Sequence, residues 1–207
     1  VESTGALTVW DIEFFSRGFL IKTPPVTNPY QLVKSPYQYK LFDVFKEYSD
    51  WCSILGVSGV GVLNNVIQSG RARDLIQIAE GLHERKYAAI ADEIYKRRDK
   101  VKLVLIAGPS SSGMTTTSKR VALQARVLGL NPVVIEMDNY FVDREKTPRD
   151  SDGNYDFESL GAMDTEFLNR QLNDLFDGKT IELPKFDFAV GQRTFNGHKL
   201  TLGEKDI

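Results

Sequence analysis

The 207-residue chain holds a single cysteine, Cys52, which excludes an internal disulfide and fits a reducing compartment. Charge of either sign is not in excess. The 26 Lys and Arg residues stand against 28 Asp and Glu, and the net charge of −2 leaves no basic footprint for nucleic acid or an anionic membrane. No DNA partner is expected, and no membrane, since apolar runs are read as stopping short of the ~18 residues of a span. No leader pattern opens the chain, no internal repeat interrupts it, and it reads as a piece cut at both Val1 and Ile207. What is there is a globular composition, 42% hydrophobic and 26% charged, enough apolar residues for one large or two small domains with a sizeable core. The expected setting is the cytoplasm, and self-association is compatible with all of these features.

The pattern changes near Lys100, which divides an accessory region, 1–99, from a second domain, 100–207. Up to residue 36, short apolar runs such as Phe19–Ile21 alternate with Pro24, Pro25, Pro29 and Pro36, which predicts strands and turns. Apolar residues at helical spacing predict a helix over Tyr39–Leu55 stopped by Gly56, a second over Val60–Ile67, and a long third over Arg71–Arg98 that includes His83 and Glu84 and serves packing. The second half alternates differently. Continuous apolar runs at Val101–Ala107 and Val133–Met137 read as strands of a parallel sheet buried on both faces, with helices at Thr115–Leu128 and Thr165–Phe176 between and after them. Asp164 is the expected N-cap of the later helix and Gly178 its stop. Short strands at Thr180–Leu183 and Thr194–Leu202, the latter folded at Asn196–Gly197, predict a β-ribbon.

The run VKLVLIAGPSSSGMTT, residues 101–116, places an apolar strand before a loop spaced G-x-x-x-x-G and a helix. That is the arrangement of a phosphate cradle. Gly108 and Gly113 free the backbone to wrap a polyphosphate, so that past Pro109, which has no N–H to give, the N–H groups of Ser110, Ser111, Ser112 and Gly113 and of the helix start at Met114, Thr115 and Thr116 face its oxygens. Met114 stands where the full motif has lysine. A thioether cannot neutralise charge between β- and γ-phosphates.

Asp138, at the end of the second predicted strand, falls at the carboxyl edge of an open α/β sheet, where an acid faces the phosphates. It would hold Mg²⁺ or take a proton from an attacking hydroxyl, with Thr115 as a second oxygen ligand. The alternative is a turn cap shared with Asn139. The polar stretch Asp143–Glu158 is either a solvated loop or a substrate-facing lid. Phe186, Asp187, Phe188 and Arg193 gather aromatics, an acid and a cation, either as core or as a ring-stacking platform.

In order, GPSSSG-x-TT, the DNYF of Asp138–Phe141, the NYDFESLGAMD of Asn154–Asp164 and LPKFDF with Arg193 resemble the uridine kinase and phosphoribulokinase family of P-loop kinases. The likeness covers 101–207. The helix AEGLHERKYAAIADEI resembles the segment that precedes the kinase in a longer subgroup, a segment similar to the N-terminal part of threonyl-tRNA synthetase.

The resemblance implies an α/β fold, a P-loop NTPase parallel sheet with flanking helices and a β-ribbon, behind a smaller mixed N-terminal region. It implies ATP and Mg²⁺ as cofactors, Gly108–Thr116 on the ATP phosphates, Thr115 and Asp138 at the metal, and Asp138 as general base toward a nucleoside 5′-hydroxyl. The acceptor contacts it implies are Tyr140, Tyr155, Asp156, Glu158, Phe186 and Arg193, with Glu158 where the family has a ribose-binding aspartate. Phe186 and Gly191 fall at a base-contacting tyrosine and histidine, so the loss of two polar groups predicts weak discrimination of uracil. The family's later acidic Glu-Gly pair and lid arginines have no counterpart before Ile207, which predicts impaired activity. Arg144, Lys146 and Arg149 are the loop cations able to stand in for the missing lysine. Two other readings stay open, a nucleotide-binding module without catalysis and a P-loop kinase for another small alcohol.

Overall fold

The computed structural model of the chain describes residues 8–15, 18–34, 37–109, 111–203 and 206–207. Ser110 and Pro36 lie outside them. Two compact units divide the chain, Val1–Ala72 and Arg73–Ile207. This division precedes the composition change at residue 100, and side chains explain why. Glu84, on the long helix Ala72–Lys96, pairs with Arg120 at 3.3 Å and accepts a hydrogen bond from Gln124 at 3.1 Å, which ties that helix to the second half.

In the first unit, strands β1 (Asp11–Phe15) and β2 (Gly18–Lys22) pair antiparallel, with Ile12 opposite Ile21 and Phe14 opposite Phe19. Glu13 accepts from both Lys22 and Tyr37 and pins the ribbon to the segment that follows. The Phe15 ring stacks on Tyr37 and meets Phe42 edge-on, joining the ribbon to helix α1 (Tyr39–Leu55). Gly56, in the left-handed conformation, closes α1 with its N–H on Ser53, and α2 (Val60–Gln68) follows. Within Tyr39–Gln68 an 18-residue window reaches a mean hydropathy of 1.2 and is mostly unburied, and residues 51–68 carry no charge, which amends the expectation of short apolar runs. The break at Gly56 leaves helices of 17 and 9 residues, each short of the ~20 that span a bilayer straight.

The second unit contains α3 (Ala72–Lys96), α4 (Met114–Val127), α5 (Thr165–Phe176) and an antiparallel ribbon of β3 (Ile181–Asp187) and β4 (Gln192–Leu200). Single 3₁₀ turns occupy Met137–Tyr140, Arg144–Lys146 and Leu160–Ala162. The inner face of α5 runs through Phe167, Leu168, Gln171 and Leu175, at the i, i+4 and i+8 spacing of an amphipathic helix. Leu175 is buried, worth about 1.5–3 kcal/mol.

Two expectations meet a different arrangement. Residues 101–107 and 132–136 are not part of any strand ladder, so among the described residues the sheets are the two antiparallel ribbons and the parallel sheet is not formed. Extended apolar residues without paired neighbours stay in solvent, and Leu105 is 75% exposed. A single parallel bridge, Asn131 with Asp206, starts a pairing beside 131–133, with Val133 N–H donating to the Ile207 carbonyl at 2.9 Å. The ribbon also turns elsewhere than at Asn196–Gly197. Its turn is Phe188–Gly191, and Asn196–Gly197 lies inside β4. The register explains the difference: Glu182 pairs with Lys199 but Pro184 with Phe195, so β4 bulges where proline has no N–H to give. The Gly197 N–H donates instead to the Glu182 carboxylate at 2.6 Å.

Candidate functional site

The Gly108–Thr116 loop opens directly into α4. Gly113 is the N-cap at φ 86° and Ser111 sits at φ 61°, a backbone region that L residues seldom adopt and that recurs in anion-binding concavities. A Cβ at Gly108 would lie 2.6 Å from Ser112 Oγ, so the two ends of the loop approach closely. No side chain caps α4, and the intrahelical ladder begins with Thr117 N–H on the Gly113 carbonyl at 2.9 Å. The N–H groups of Met114, Thr115 and Thr116 are therefore turned out of the helix end, where the dipole favours an anion. Ser111, Ser112, Met114, Thr115 and Thr116 are all exposed. Arg120 is turned away onto Glu84, as its position a turn and a half into the helix implies.

Asp138 lies in the 3₁₀ turn Met137–Tyr140, exposed, with no hydrogen bond or ion pair among the described residues. Its neighbours fix that turn to the ribbon. Asn139 Oδ1 accepts from the Phe186 N–H at 3.0 Å, and Tyr140, 1% exposed, donates its hydroxyl to Gln171 Oε1 at 2.8 Å. Gln171 Nε2 passes the chain on to the Glu182 carbonyl at 2.7 Å. Burial pushes the Tyr140 phenol up to about 12, against a smaller opposing effect of Arg193. Tyr140 is thus a buried strut, its ring against Phe167. Gln171 escaped the sequence reading, although its position within the apolar stripe of α5 marks it as facing inward.

The remaining acceptor-side residues fall into three groups. Phe186 is 4% exposed and meets Phe141 and Phe188 edge-on, so its faces are taken up by packing, while Phe188 keeps 58% of its surface open and Phe157 40%. Arg193 is an internal brace. Its Nη2 donates to Asp164 Oδ2 at 2.8 Å, its plane lies 4.5 Å over the Phe167 ring, and its Nη1 is buried without a partner among the described residues. Burial works against the Asp164 charge, but the Arg193 bond and the Phe167 N–H on Oδ1 overcome it and hold the carboxyl below its ordinary range. Asp156 Oδ1 accepts from the N–H groups of Glu158 and Ser159 and shapes its own turn, Tyr155 lies under Arg149 at 4.2 Å, and Glu158 is exposed.

The three loop cations are all engaged. Arg149 donates to the Gly153 carbonyl and Lys146 to Asp143, while Arg144 donates to the Phe188 carbonyl at 2.6 Å. The polar stretch 143–158 is therefore ordered by its own side chains, with Asp150 Oδ1 accepting from Asp152 and Asn154. The structure brings Asp138, the aromatic group and Arg193 onto one framework through Asn139 and Phe141. No hydrogen bond or ion pair among the described residues joins that framework to the Gly108–Thr116 loop. A separate cavity of about 230 Å³ lies behind the turn, between Glu136, Asn139, Lys185 and His198.

No protein-family model matches the chain. A uridine kinase of Ligilactobacillus salivarius (strain UCC118) is 32% identical over 104 residues, 50% of this chain and 48% of the relative. A uridine kinase of Macrococcus caseolyticus (strain JCSC5402) is 28% identical over 108 residues, 52% and 50% of the two chains. Inorganic pyrophosphatase TTM2 of Arabidopsis thaliana is 32% identical over 151 residues, 66% of this chain but 21% of its own. The chain spans about half the length of the uridine kinases it matches. A solved structure of a candidate fructose transport system kinase from Silicibacter sp. TM1040 is 21% identical with a TM-score of 0.46, over 58% of this chain and 60% of that one, too distant to add to the argument. Over about half of its length the chain is thus similar to uridine kinases.

Proposed function

We propose that the protein is an ATP-dependent phosphotransferase that passes the γ-phosphoryl group to the 5′-hydroxyl of a nucleoside-like acceptor. The observation that carries this is the uncapped start of α4 behind a glycine-spaced loop, a ready-made seat for phosphate oxygens. Amides of Gly108–Thr116 hold the polyphosphate, and the Thr115 hydroxyl and Asp138 carboxylate, both exposed oxygens, fit a hard cation. No group of three or more acidic, His or Cys side chains able to hold a metal occurs among the described residues, which suits an ion carried chiefly by the phosphates and water. Mg²⁺, when bound, would offset charge on the β- and γ-phosphate oxygens.

Asp138 is the proton acceptor of the proposal. Its carboxylate, which has no hydrogen-bond or ion-pair partner among the described residues, takes the proton of the acceptor hydroxyl as that oxygen attacks the γ-phosphorus and ADP leaves on the opposite side. Tyr140 supports this step from beneath, by holding the turn on Gln171. The first domain has no assigned role in the reaction, and the boundary 99/100 remains the proposed limit of the kinase core. The cytoplasm and a small-molecule acceptor complete the reading.

Met114 favours a second reading, a module that binds nucleotide without turning it over. The two are separated by assaying the full-length protein and its Met114→Lys variant with ATP, Mg²⁺ and a panel of nucleosides. Kinase function predicts ADP release that rises on the order of 10²–10³-fold with lysine, the usual worth of one electrostatic donor at the reacting group. ATP binding with an unchanged rate supports the module. No ADP above background from either protein ends the kinase reading. Product chromatography covers other small alcohols, and a pyrophosphate-only arm covers the activity named for the Arabidopsis relative.

A further inference from the structure

The β1–β2 ribbon is patterned inside out. Its register sets Ile12 opposite Ile21 and Phe14 opposite Phe19, so these four side chains share one face, which Trp10 continues in the same two-residue phase. That face is open. Phe14 is 92% exposed, and Trp10, Ile12, Phe19 and Ile21 each keep between 49% and 61% of their surface. The charges lie on the other face, where the Glu13–Lys22 pair is half-buried with Phe15 and Leu20, and Phe15 packs against Tyr37 and Phe42. A one-residue slip would exchange the two faces, but Glu13 bonds to both Lys22 and Tyr37 and holds the apolar set outward. A two-stranded ribbon is marginal alone in water, and a continuous apolar face marks a surface that something covers.

Area, charge and shape point to the same occupant. At ~150–250 Å² for an aromatic side chain and somewhat less for isoleucine, the open parts of the five residues offer on the order of 600 Å². Two such faces hide about 1,200 Å² together, the lower limit of a specific interface. An anionic lipid surface draws on Lys and Arg around an apolar face, and Lys22, the one cation among the described residues of the ribbon, lies on the far side with Glu13. A second copy needs no such charge. Along the ribbon a row of two isoleucines neighbours a row of two phenylalanines. When an identical face is laid on it by a two-fold axis passing between the rows, each row of rings meets a row of isoleucines, so large side chains face smaller ones.

We propose that the outer face of β1–β2 is the contact of a two-fold dimer of this chain, a four-stranded sandwich built from two ribbons. The inference stands apart from the phosphotransferase reading and survives its failure.

Sedimentation velocity of the intact protein from about 1 to 100 μM is expected to show monomer passing to dimer, since a contact at the lower size limit associates in the micromolar range. Over the same range Trp10 emission, read in the Trp51→Phe protein, should shift to the blue and become less quenched by iodide. Phe14→Asp places a charge in the centre of the contact and should weaken association on the order of 100-fold, leaving a monomer, whereas Phe14→Leu should keep the dimer. Because Phe14 touches so little of its own chain, circular dichroism of both variants should match the unaltered protein. A monomer at every concentration overturns the proposal, and Trp10 already shielded from iodide in that monomer would name the chain's own residues as the cover. A dimer untouched by folded Phe14→Asp overturns it as well. So does co-sedimentation with phosphatidylcholine vesicles in place of self-association, which would make the occupant a membrane.

Discussion

Replacing Asp164 tests the brace on which the acceptor side depends, because one carboxylate performs two separable tasks. Its Oδ1 caps α5 through the Phe167 N–H at 3.0 Å, and its Oδ2 receives Arg193 at 2.8 Å. Losing the cap costs about 1 kcal/mol. The ion pair is only partly screened, with side-chain exposures of 28% for Asp164 and 21% for Arg193, and Arg193 Nη1 already lacks a partner. A second unpaired donor beside it adds about 1.5–3 kcal/mol. Asp164→Ala is therefore expected to lose about 2.5–4 kcal/mol, a large fraction of the stability of a domain this size. Asp164→Asn, which caps as well as Asp, should lose only the pair, about 2 kcal/mol. In the Arg193→Met background the alanine change should cost little more than the cap, giving a coupling of about 1.5–3 kcal/mol. Both tryptophans, Trp10 and Trp51, lie in the first unit, so fluorescence reports the wrong part of the chain. Urea unfolding followed by circular dichroism and by hydrogen exchange at the Phe167 amide reads the second unit. A coupling below about 0.5 kcal/mol would show that Arg193 and Asp164 act independently and refute the brace.

The remaining predictions follow from the same framework. Asp164 and Asp143 both titrate below the ordinary carboxyl range, Asp143 through its Lys146 bond. The unfolded chain thus takes up protons first as the pH falls. The stability these groups supply is complete above the ordinary value of about 3.9 and is lost as the pH drops through it toward the lowered folded value. Acid unfolding monitored by circular dichroism should become shallower in Asp164→Asn, and an unchanged slope would contradict the assignment. Tyr140→Phe should destabilise by about 1–2 kcal/mol by leaving the Gln171 acceptor buried and unpaired. In the intact protein, ultraviolet titration should show one phenol that resists ionisation until about pH 12.

Helices and their ends were legible in the sequence because they depend on neighbours along the chain. The apolar spacing at Leu41, Val44, Phe45 and Tyr48 needs only a 3.6-residue repeat, and Gly56 and Asp164 close and open their helices through bonds spanning three to five residues. The Gly108–Gly113 spacing likewise carries its own backbone geometry into the start of α4. Where partners come from far along the chain, the linear pattern was silent or misleading. Asn196–Gly197 has the composition of a hairpin turn, yet the pairing of Pro184 with Phe195 makes it a bulge and moves the turn to Phe188–Gly191. Val101–Ala107 has the composition of a buried strand, but a strand is made by the ladder beside it, and none forms there among the described residues. Arg193 carries the charge of a ligand contact, and only the approach of Asp164 across 29 residues turns it into a brace. The sequence alone determined the phosphate-type loop, the helix boundaries and the kinase likeness. Tertiary structure decided where the cations of the second unit are held, because a guanidinium is anchored by what it meets in space, as Arg193 is by Asp164 and Arg144, through Nη2, by the carbonyl of Phe188.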